Sequence, residues 1–369
     1  MLILAGLVDW INAISQLLFT VVFLLLFLGF NQRLQVFLQS RNISAKLKVL
    51  ETYALESKQK TIEFLKNNGS QNPESVFNTA SEYFVISPVD IEPTDIIRRL
   101  ETLLRTQETR FEKLVEETLP NTDKFTRSLA LTALEISAAL NQVYKIVRHY
   151  LLLGRKTNNW ILIMQLDMLM PTLLRQAKSY RQALDVFLEG KPIGDGAGPL
   201  LAFNIVKLSQ PTEEISKDTV YYTTSIEERT VYVVKARGPQ SNVGHPGEAV
   251  EKLVEKLISN GKEIGLIITV DAALKLEGEE TGSIAEGVGA AIGDPGPEKI
   301  RIERIAAKYG IPLHAVVIKM GFEEAILEMK KQVVEGVEKA MEVVRELIRK
   351  VPKEKAIIIA GIGNTIGIA

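Results

Sequence analysis

The sequence predicts an α/β protein in three parts: an N-terminal transmembrane helix, an all-α middle module, and a C-terminal three-layer α/β domain with a mixed, mostly parallel sheet. Three observations carry this. Val8 to Phe30 is apolar apart from Asp9, Asn12, Ser15, Gln16 and Thr20. The stretch after it shows helical periodicity and no strand alternation. From Gly190-Lys191-Pro192-Ile193-Gly194 onward, valine, isoleucine and glycine rise and strand and helix patterns alternate. The expected boundaries are 1–32, 33–190 and 191–369.

Val8 to Phe30 is long enough to cross about 30 Å of hydrocarbon as a helix. No basic n-region precedes it and no small-x-small site follows, which argues against a cleaved signal peptide. A buried core helix is the alternative. Asp9 is the only charge at its N-terminal end, whereas Arg33, Arg41, Lys46 and Lys48 follow it. The positive-inside rule then gives a single-pass protein of the cell membrane, N-terminus outside and the bulk cytoplasmic, with the lipid bilayer as a partner. Trp10 stands where an interfacial aromatic would.

In the middle module, Gln32 to Lys66 reads as a helix broken by Asn67-Asn68-Gly69-Ser70. Asn72-Pro73-Glu74-Ser75 restarts it, and Ser87-Pro88 and Glu92-Pro93-Thr94 punctuate again. Three long helices follow, over Pro93 to Leu119, Asp123 to Gly154 and Asn158 to Gly190. Leu100, Leu103, Leu104, Phe111 and Leu114 fit one helical face. Trp160 to Leu174 is the most apolar stretch here. It is too short to span a membrane and contains Asp167 and Pro171, so it reads as a core helix, with an in-plane or partner-binding helix as the alternative. The helices are expected to assemble homo-oligomers.

In the last part, Thr219 to Thr224 and Thr230 to Ala236 read as a hairpin around Glu227-Glu228. Pro246 to Asn260, Glu298 to Tyr309 and Glu323 to Lys350 read as helices. Ile264 to Val270, Leu313 to Lys319 and Ala356 to Ala360 are continuous apolar runs, as expected of strands buried on both faces.

Hydrophobic residues make up 46% of the chain and the formal net charge is −1, so no global attraction to nucleic acid is expected. With no cysteine, thiolate metal sites, disulfides and cysteine nucleophiles are excluded. The three histidines, His149, His245 and His314, form no metal-ligand pattern. No cofactor and no metal are expected.

Two glycine-rich turns are each incomplete. The strand Ala356 to Ala360 runs into Gly361-Ile362-Gly363-Asn364-Thr365-Ile366-Gly367 with no helix behind it. Gly194-Asp195-Gly196-Ala197-Gly198-Pro199 opens a helix with no strand before it. Joined in space they make one strand–loop–helix unit, with Asp195 at the carboxyl end of a parallel sheet, where open α/β folds place their sites. That puts Ala356 to Ala360 inside the sheet and Asn364 beside Asp195. Asp195 is alternatively a helix cap. Asp271 ends the run Leu266 to Val270, a costly place for an acid unless it is used or paired. Two such carboxylates could share a proton and act as a general acid and base on water.

Gly278 to Gly296 is a second glycine-rich stretch able to admit an extended ligand, or packed for structural reasons. Within it, Glu279, Glu280, Gly293, Asp294 and Gly296 are candidate ligand residues, and Glu277, Glu279, Glu280, Glu286 and Asp294 offer a weaker divalent-cation reading. His245, in Asn242-Val243-Gly244-His245-Pro246-Gly247, is a candidate ligand or acid/base group, or incidental. Gly194, Gly196, Gly198, Gly361, Gly363 and Asn364 complete the expected walls. The Gly361 turn is one residue out of dinucleotide-fingerprint spacing and leads into no helix. The Gly194 turn looks like the opening loop of isocitrate-type dehydrogenases, but no arginine-rich substrate site accompanies it.

The apolar N-terminal stretch, the Gly194 to Pro199 turn, the Val243 to Glu248 loop and the closing Gly361 to Gly367 turn together resemble the archaeal membrane-protein family that carries the domain of unknown function 1512. That resemblance implies no activity. Residues 191–369 also resemble the spore-germination protease and hydrogenase-maturation endopeptidase group. The matching pieces are Gly361-Ile362-Gly363-Asn364, Asp195-Gly196-Ala197-Gly198-Pro199, Val270-Asp271-Ala272, Asp294-Pro295-Gly296-Pro297 and Gly310-Ile311-Pro312. The order departs from that group, since its first strand is last here, which implies circular permutation. The resemblance carries the germination-protease catalytic pair onto Asp195 and Asp271. Glu298 to Tyr309 lacks the metal-binding histidine of the hydrogenase branch. A hydrolase acting on a protein or peptide is thus the leading expectation. A non-catalytic membrane-tethered sensor or scaffold, binding a nucleotide, phosphate or peptide at the glycine loops, is the alternative.

Overall fold

The structure, a computed structural model, describes residues 15–20, 30–83, 93–207, 209–293 and 296–369. Most of Val8 to Phe30, with Trp10, lies outside the described residues, as do Ser87-Pro88, Glu92, Asp294 and Pro295. Residues 15–20 are helical. Among the described residues no helix is long and apolar enough to cross a membrane, so the expected span gains no support here.

The chain divides into two compact units, Met1–Glu56 with Ala139–Lys178, and Ser57–Ala138 with Ser179–Ala369. The long helices α1 (Phe30–Asn67), α4 (Lys124–Lys156) and α5 (Trp160–Leu188) each contribute to both. In the first unit, Val36, Ile43 and Leu50 of α1 are buried at heptad spacing. The α1 and α4 segments run antiparallel: Arg155 Nη2 donates to Ser40 O at 2.8 Å, and Tyr144 Oη donates to Glu51 Oε1 at 2.8 Å. Ile163, Leu166 and Met170 bury one face of α5, while Met168 and Leu169 remain exposed on another. The core-helix reading therefore holds for half of that helix. Pro171 is accommodated inside it.

In the second unit, α2 (Pro73–Glu82) and α3 (Pro93–Thr118) pack with the adjoining parts of α1 and α4 around Leu65, Phe77, Phe111, Val115, Leu119 and Leu134. The rest is a seven-stranded sheet, ordered β1 (Glu213–Ser216), β2 (Thr219–Ile226), β3 (Arg229–Ala236), β7 (Ala356–Gly361), β4 (Ile264–Leu274), β6 (Leu313–Met320), β5 (Ile284–Val288). The last strand, β7, pairs parallel with both β3 and β4, as the sequence predicts, and every residue of it is buried. The β4–β6 pairing is also parallel, whereas β1–β2, β2–β3 and β5–β6 are antiparallel. The sheet is thus mixed in equal parts and not mostly parallel.

Helices α6 (Ala197–Val206) and α10 (Lys331–Arg349) cover one face, packing on Val231, Val233, Ile268, Ile357 and Ile359. Helices α7 (Pro246–Ser259) and α8 (Pro297–Tyr309) cover the other, on Tyr232, Val234, Ile267, Ile358 and Ala360. The alternation of strand side chains between faces accounts for the continuous apolar runs.

Two expectations need correction. Glu323 to Lys350 is not one helix: α9 (Phe322–Ile326) ends before α10, and residues 327–329 are extended. There the chain bridges Ile193 to Glu328, with Gly194 N–H donating to Leu327 O and Met329 N–H to Pro192 O. A non-local pairing breaks a locally favourable helix. The acid- and glycine-rich stretch also contains a strand: β5 runs through Ile284–Val288 as an edge, antiparallel to β6.

Candidate active site

Asp195 lies in a 3-10 turn, Gly194–Gly196, immediately before α6. Its carboxylate caps neither the turn nor the helix. Instead Oδ2 accepts the backbone N–H of Asn364 at 2.9 Å, so the turn that opens α6 and the loop that follows β7 close into one unit. Glycine makes this contact possible at two positions. Gly363 has φ +133°, and a Cβ there would strike the carbonyl oxygen of Asp195. A Cβ on Gly198 would strike the carbonyl oxygens of Ile362 and Val270.

Asp271 reaches the same place from β4, which runs on past it to Leu274. Val270 is the last β4 residue paired with β7, opposite Gly361, and Ile362 N–H donates to its carbonyl at 2.8 Å. Asp271 is 4% exposed. Its Oδ1 accepts the Ala272 N–H at 2.7 Å, and the Gly293 N–H also donates to it. Burial raises the carboxyl well above its usual range, and the negative charge of Asp195 raises it further. Burial also raises Asp195, against the opposing pull of the Asn364 N–H. A negative charge on Asp195 adds to the cost of ionising Asp271, so the two carboxyls favour sharing a single charge.

Of the expected wall, the structure brings Gly194, Gly196, Gly198, Gly293, Gly361, Gly363 and Asn364 to the two carboxylates or to the turns that carry them. Gly296 instead precedes α8. Glu279 is used locally: it accepts the Leu276 N–H at 2.8 Å and pairs with Lys319. Glu280 is exposed in that turn and accepts from Ser283 Oγ through its carbonyl. Among the described residues no group of three or more His, Asp and Glu side chains is placed to hold a metal ion.

His245 is held by residues of other helices. It precedes α7, between Glu108 of α3 and Glu298 of α8, with Nε2 and Nδ1 each 3.5 Å from a carboxylate oxygen. Those carboxylates raise the imidazole to about 9 and His245 in turn holds Glu108 down at about 2. Glu298 Oε2 also accepts the Gly247 and Glu248 N–H groups that open α7. A cavity of about 370 Å³ beside His245 is lined by Glu108, Glu135, Lys217, Ser241 and Asn364. Asn364 donates its backbone N–H to Asp195 and its side-chain Nδ2 to Ser241 Oγ at 3.3 Å, Ser241 being a residue of this cavity.

A cavity of about 720 Å³ lies on α2 and α3, among Thr79, Tyr83, Arg105, Arg110, Phe111 and Glu117. Sequence reasoning missed Glu108, Glu135 and Glu298, which lie on other helices than their partner, and Lys235. Lys235 is 1% exposed on β3, opposite Gly361, with Nζ donating to Ala236 O at 3.2 Å. Burial lowers it to about 8. Its place inside a hydrophobic strand pattern gave no signal.

Residues 17–190 match the family described as "Protein of unknown function (DUF1512) N-terminal domain", and residues 193–369 match "Domain of unknown function (DUF1512) C-terminal". The chain belongs to this family. No curated protein matches it.

Proposed function

We propose that this member of the DUF1512 family is a membrane-tethered hydrolase, an endopeptidase in which Asp195 and Asp271 act on a water molecule. The observation that carries the reading is the meeting of two carboxyls, both raised by burial, with Asp271 raised further by the charge of Asp195 and Asp195 bonded by the Asn364 N–H. In this scheme ionised Asp195 takes a proton from water, whose oxygen bonds to the peptide carbonyl carbon. Asp271 donates its proton to the carbonyl oxygen. The resulting tetrahedral diol collapses with cleavage of the C–N bond, the Asp195 proton passing to the leaving amine. The diol's second hydroxyl proton returns to Asp271.

The same reading places the protein in the cell membrane through a single span at Val8–Phe30, N-terminus outside and the remainder cytoplasmic. It takes the α/β domain as a permuted relative of the germination-protease and hydrogenase-maturation group, and the helices as the means of homo-oligomer assembly. The interior position of β7 supports the permutation.

The test is turnover of membrane-protein extracts and peptide libraries by wild type, Asp195→Asn and Asp271→Asn. Cleavage by wild type and by neither variant supports the dyad. Equal cleavage by all three, or by none, removes it.

One observation favours a second reading, a binding scaffold. The 720 Å³ cavity lies on the helices, and the space beside Gly198 and Gly363 is taken by backbone of the facing turn. A scaffold shows no turnover in the wild type, and Arg110→Ala, at that cavity, changes ligand binding where the aspartate variants do not.

A further inference from the structure

The first compact unit carries an unusual surface at one end. Arg155 of α4 donates to Ser40 O at 2.8 Å and to Ser44 Oγ at 2.5 Å, and Asn42 and Lys46 of α1 reach Asp167 of α5 at 2.9 and 3.1 Å. Ile163 packs on Gly154. These contacts set the α4–α5 turn beside the start of α1. Six large apolar side chains are exposed at this end: Leu34, Phe37, Leu38, Leu152, Leu153 and Ile161. Phe37 is 64% exposed and Leu38 55%.

The charge at this end is as one-sided as its hydrophobicity. Residues 30–50 and 145–166 contain eight lysines and arginines and no aspartate or glutamate, although the whole chain holds 44 basic and 45 acidic residues. The first carboxylates beyond these segments are Glu51 and Asp167. Exposed aliphatic and aromatic groups on segments that also carry the exposed cations Arg33, Arg41 and Lys156 match an anionic lipid surface, where apolar side chains enter the acyl boundary and cations meet headgroup phosphates. A soluble partner or a second copy of this chain would meet the apolar residues but would have to bring its own acids to the exposed cations, since Asp167, the nearest acid, is already engaged by Asn42 and Lys46. The chain before Phe30 also leads back into the Leu17 to Phe30 stretch. Leu34 to Leu38 stand within roughly 12 Å of Phe30 along a helix rising about 1.5 Å per residue.

We propose that this end of the three-helix unit, formed by the start of α1 and the α4–α5 turn, seats in the headgroup layer of an anionic membrane. The contact adds to the single-span reading and stands without it.

The chain's two tryptophans allow a direct test, since Trp160 opens α5 at this end and Trp10 lies in the expected span. Full-length Trp10→Phe, whose one tryptophan is Trp160, is reconstituted into phosphatidylcholine vesicles with and without phosphatidylglycerol. The lipids are brominated at shallow acyl positions. Trp160 emission is expected to shift to the blue and to fall roughly twofold in the anionic vesicles, with the quenching weakened by high salt. The double charge reversal Arg41→Glu with Lys156→Glu, at two exposed positions, is expected to remove it. So is Phe37→Ser with Leu38→Ser, which leaves the buried face of α1 intact. The companion Trp160→Phe reports on Trp10. Trp10 quenched with Trp160 unquenched overturns the proposal while the span stands. Trp160 quenched alone supports the proposal and removes the span. Neither quenched removes both. A blue shift of Trp160 without quenching means that another protein surface covers this end, and overturns the proposal.

Discussion

Asn364 donates its backbone N–H to Asp195 Oδ2 at 2.9 Å across 169 residues of sequence. The bond depends on β7 lying between β3 and β4, because the loop carrying Asn364 leaves the carboxyl end of that strand. A chain ending after Lys355 lacks β7 and opens both faces of the core at once. Ile357, Ile358 and Ile359 are fully buried, and losing a buried isoleucine side chain alone costs about 2–5 kcal/mol. Three such losses rival the whole stability of a typical domain, about 5–15 kcal/mol. The truncated protein is expected to lack the cooperative unfolding transition of the α/β domain. Ile358→Ala is expected to keep it, lowered by about 2–5 kcal/mol. Urea titration by far-UV circular dichroism measures both, and native-like unfolding of the truncated chain contradicts a central β7.

How much of this was legible in the sequence depended on whether the signal was local. β7 and the α6 turn each showed a local deficiency, a strand without a helix and a helix without a strand, and the structure joins them. The break between α9 and α10 carried no local sign, because the cause is residues 192–194 pairing with 327–329. β5 was hidden by the glycines and acids that suit an edge strand open to water. Asp195 was read as a cap or a site residue, and only the folded chain shows its acceptor role. His245 was legible as a loop histidine, but its partners come from α3 and α8, which no spacing in its own segment indicates.

His245 predicts a pH dependence of stability. Its folded value is raised from 6.5 to about 9, so the native state binds the proton more tightly than the unfolded chain. That stabilisation is complete below pH 6.5 and is lost as pH rises through about 9. With a half-open Glu108 letting water screen one of the two pairs, it amounts to about 1–3 kcal/mol. Chemical unfolding of wild type and His245→Gln at pH 6 and 9.5 compares the ends of the window. The two proteins are expected to differ by that amount at the lower pH and to converge at the higher one. A constant difference would mean that His245 acts through packing alone.

Lys235 predicts the opposite sign. Burial lowers it from 10.5 to about 8, so the unfolded chain holds the proton more tightly. Below pH 8 the folded protein carries the full cost of a buried ammonium, and the cost fades as pH rises toward 10.5. Lys235→Met keeps most of the length of the side chain and removes the charge. It is expected to stabilise the protein by about 1–3 kcal/mol at pH 7 and by progressively less above pH 8. A destabilised Lys235→Met at neutral pH would show that the hydrogen bond to Ala236 O outweighs desolvation. Because the His245 and Lys235 windows overlap, each variant is compared with wild type at every pH.

The carboxylate pair makes the most demanding prediction, because activity and stability must move in opposite directions. Asp271 has a folded pKa well above 3.8, so over the interval between the two values the native state binds more protons than the unfolded one. Stability therefore falls as pH rises from 3.8 through that interval, and the cost persists above it. Asn at 271 cannot ionise and its side-chain oxygen can still accept the Ala272 N–H, so Asp271→Asn is expected to melt at or above the wild-type temperature at pH 7. Asp195→Asn keeps an acceptor for Asn364 and removes the charge that raises Asp271, so it too should fold. If the pair acts as acid and base, both variants lose hydrolysis. In the wild type, activity falls on the acid side as Asp195 takes up a proton and on the alkaline side as Asp271 gives one up. The checks are thermal melts and pH–rate profiles on the same preparations. A wild type that cleaves with no alkaline limb excludes Asp271 as the acid. Variants that lose activity only because they melt lower would assign both aspartates to the fold and none to the chemistry.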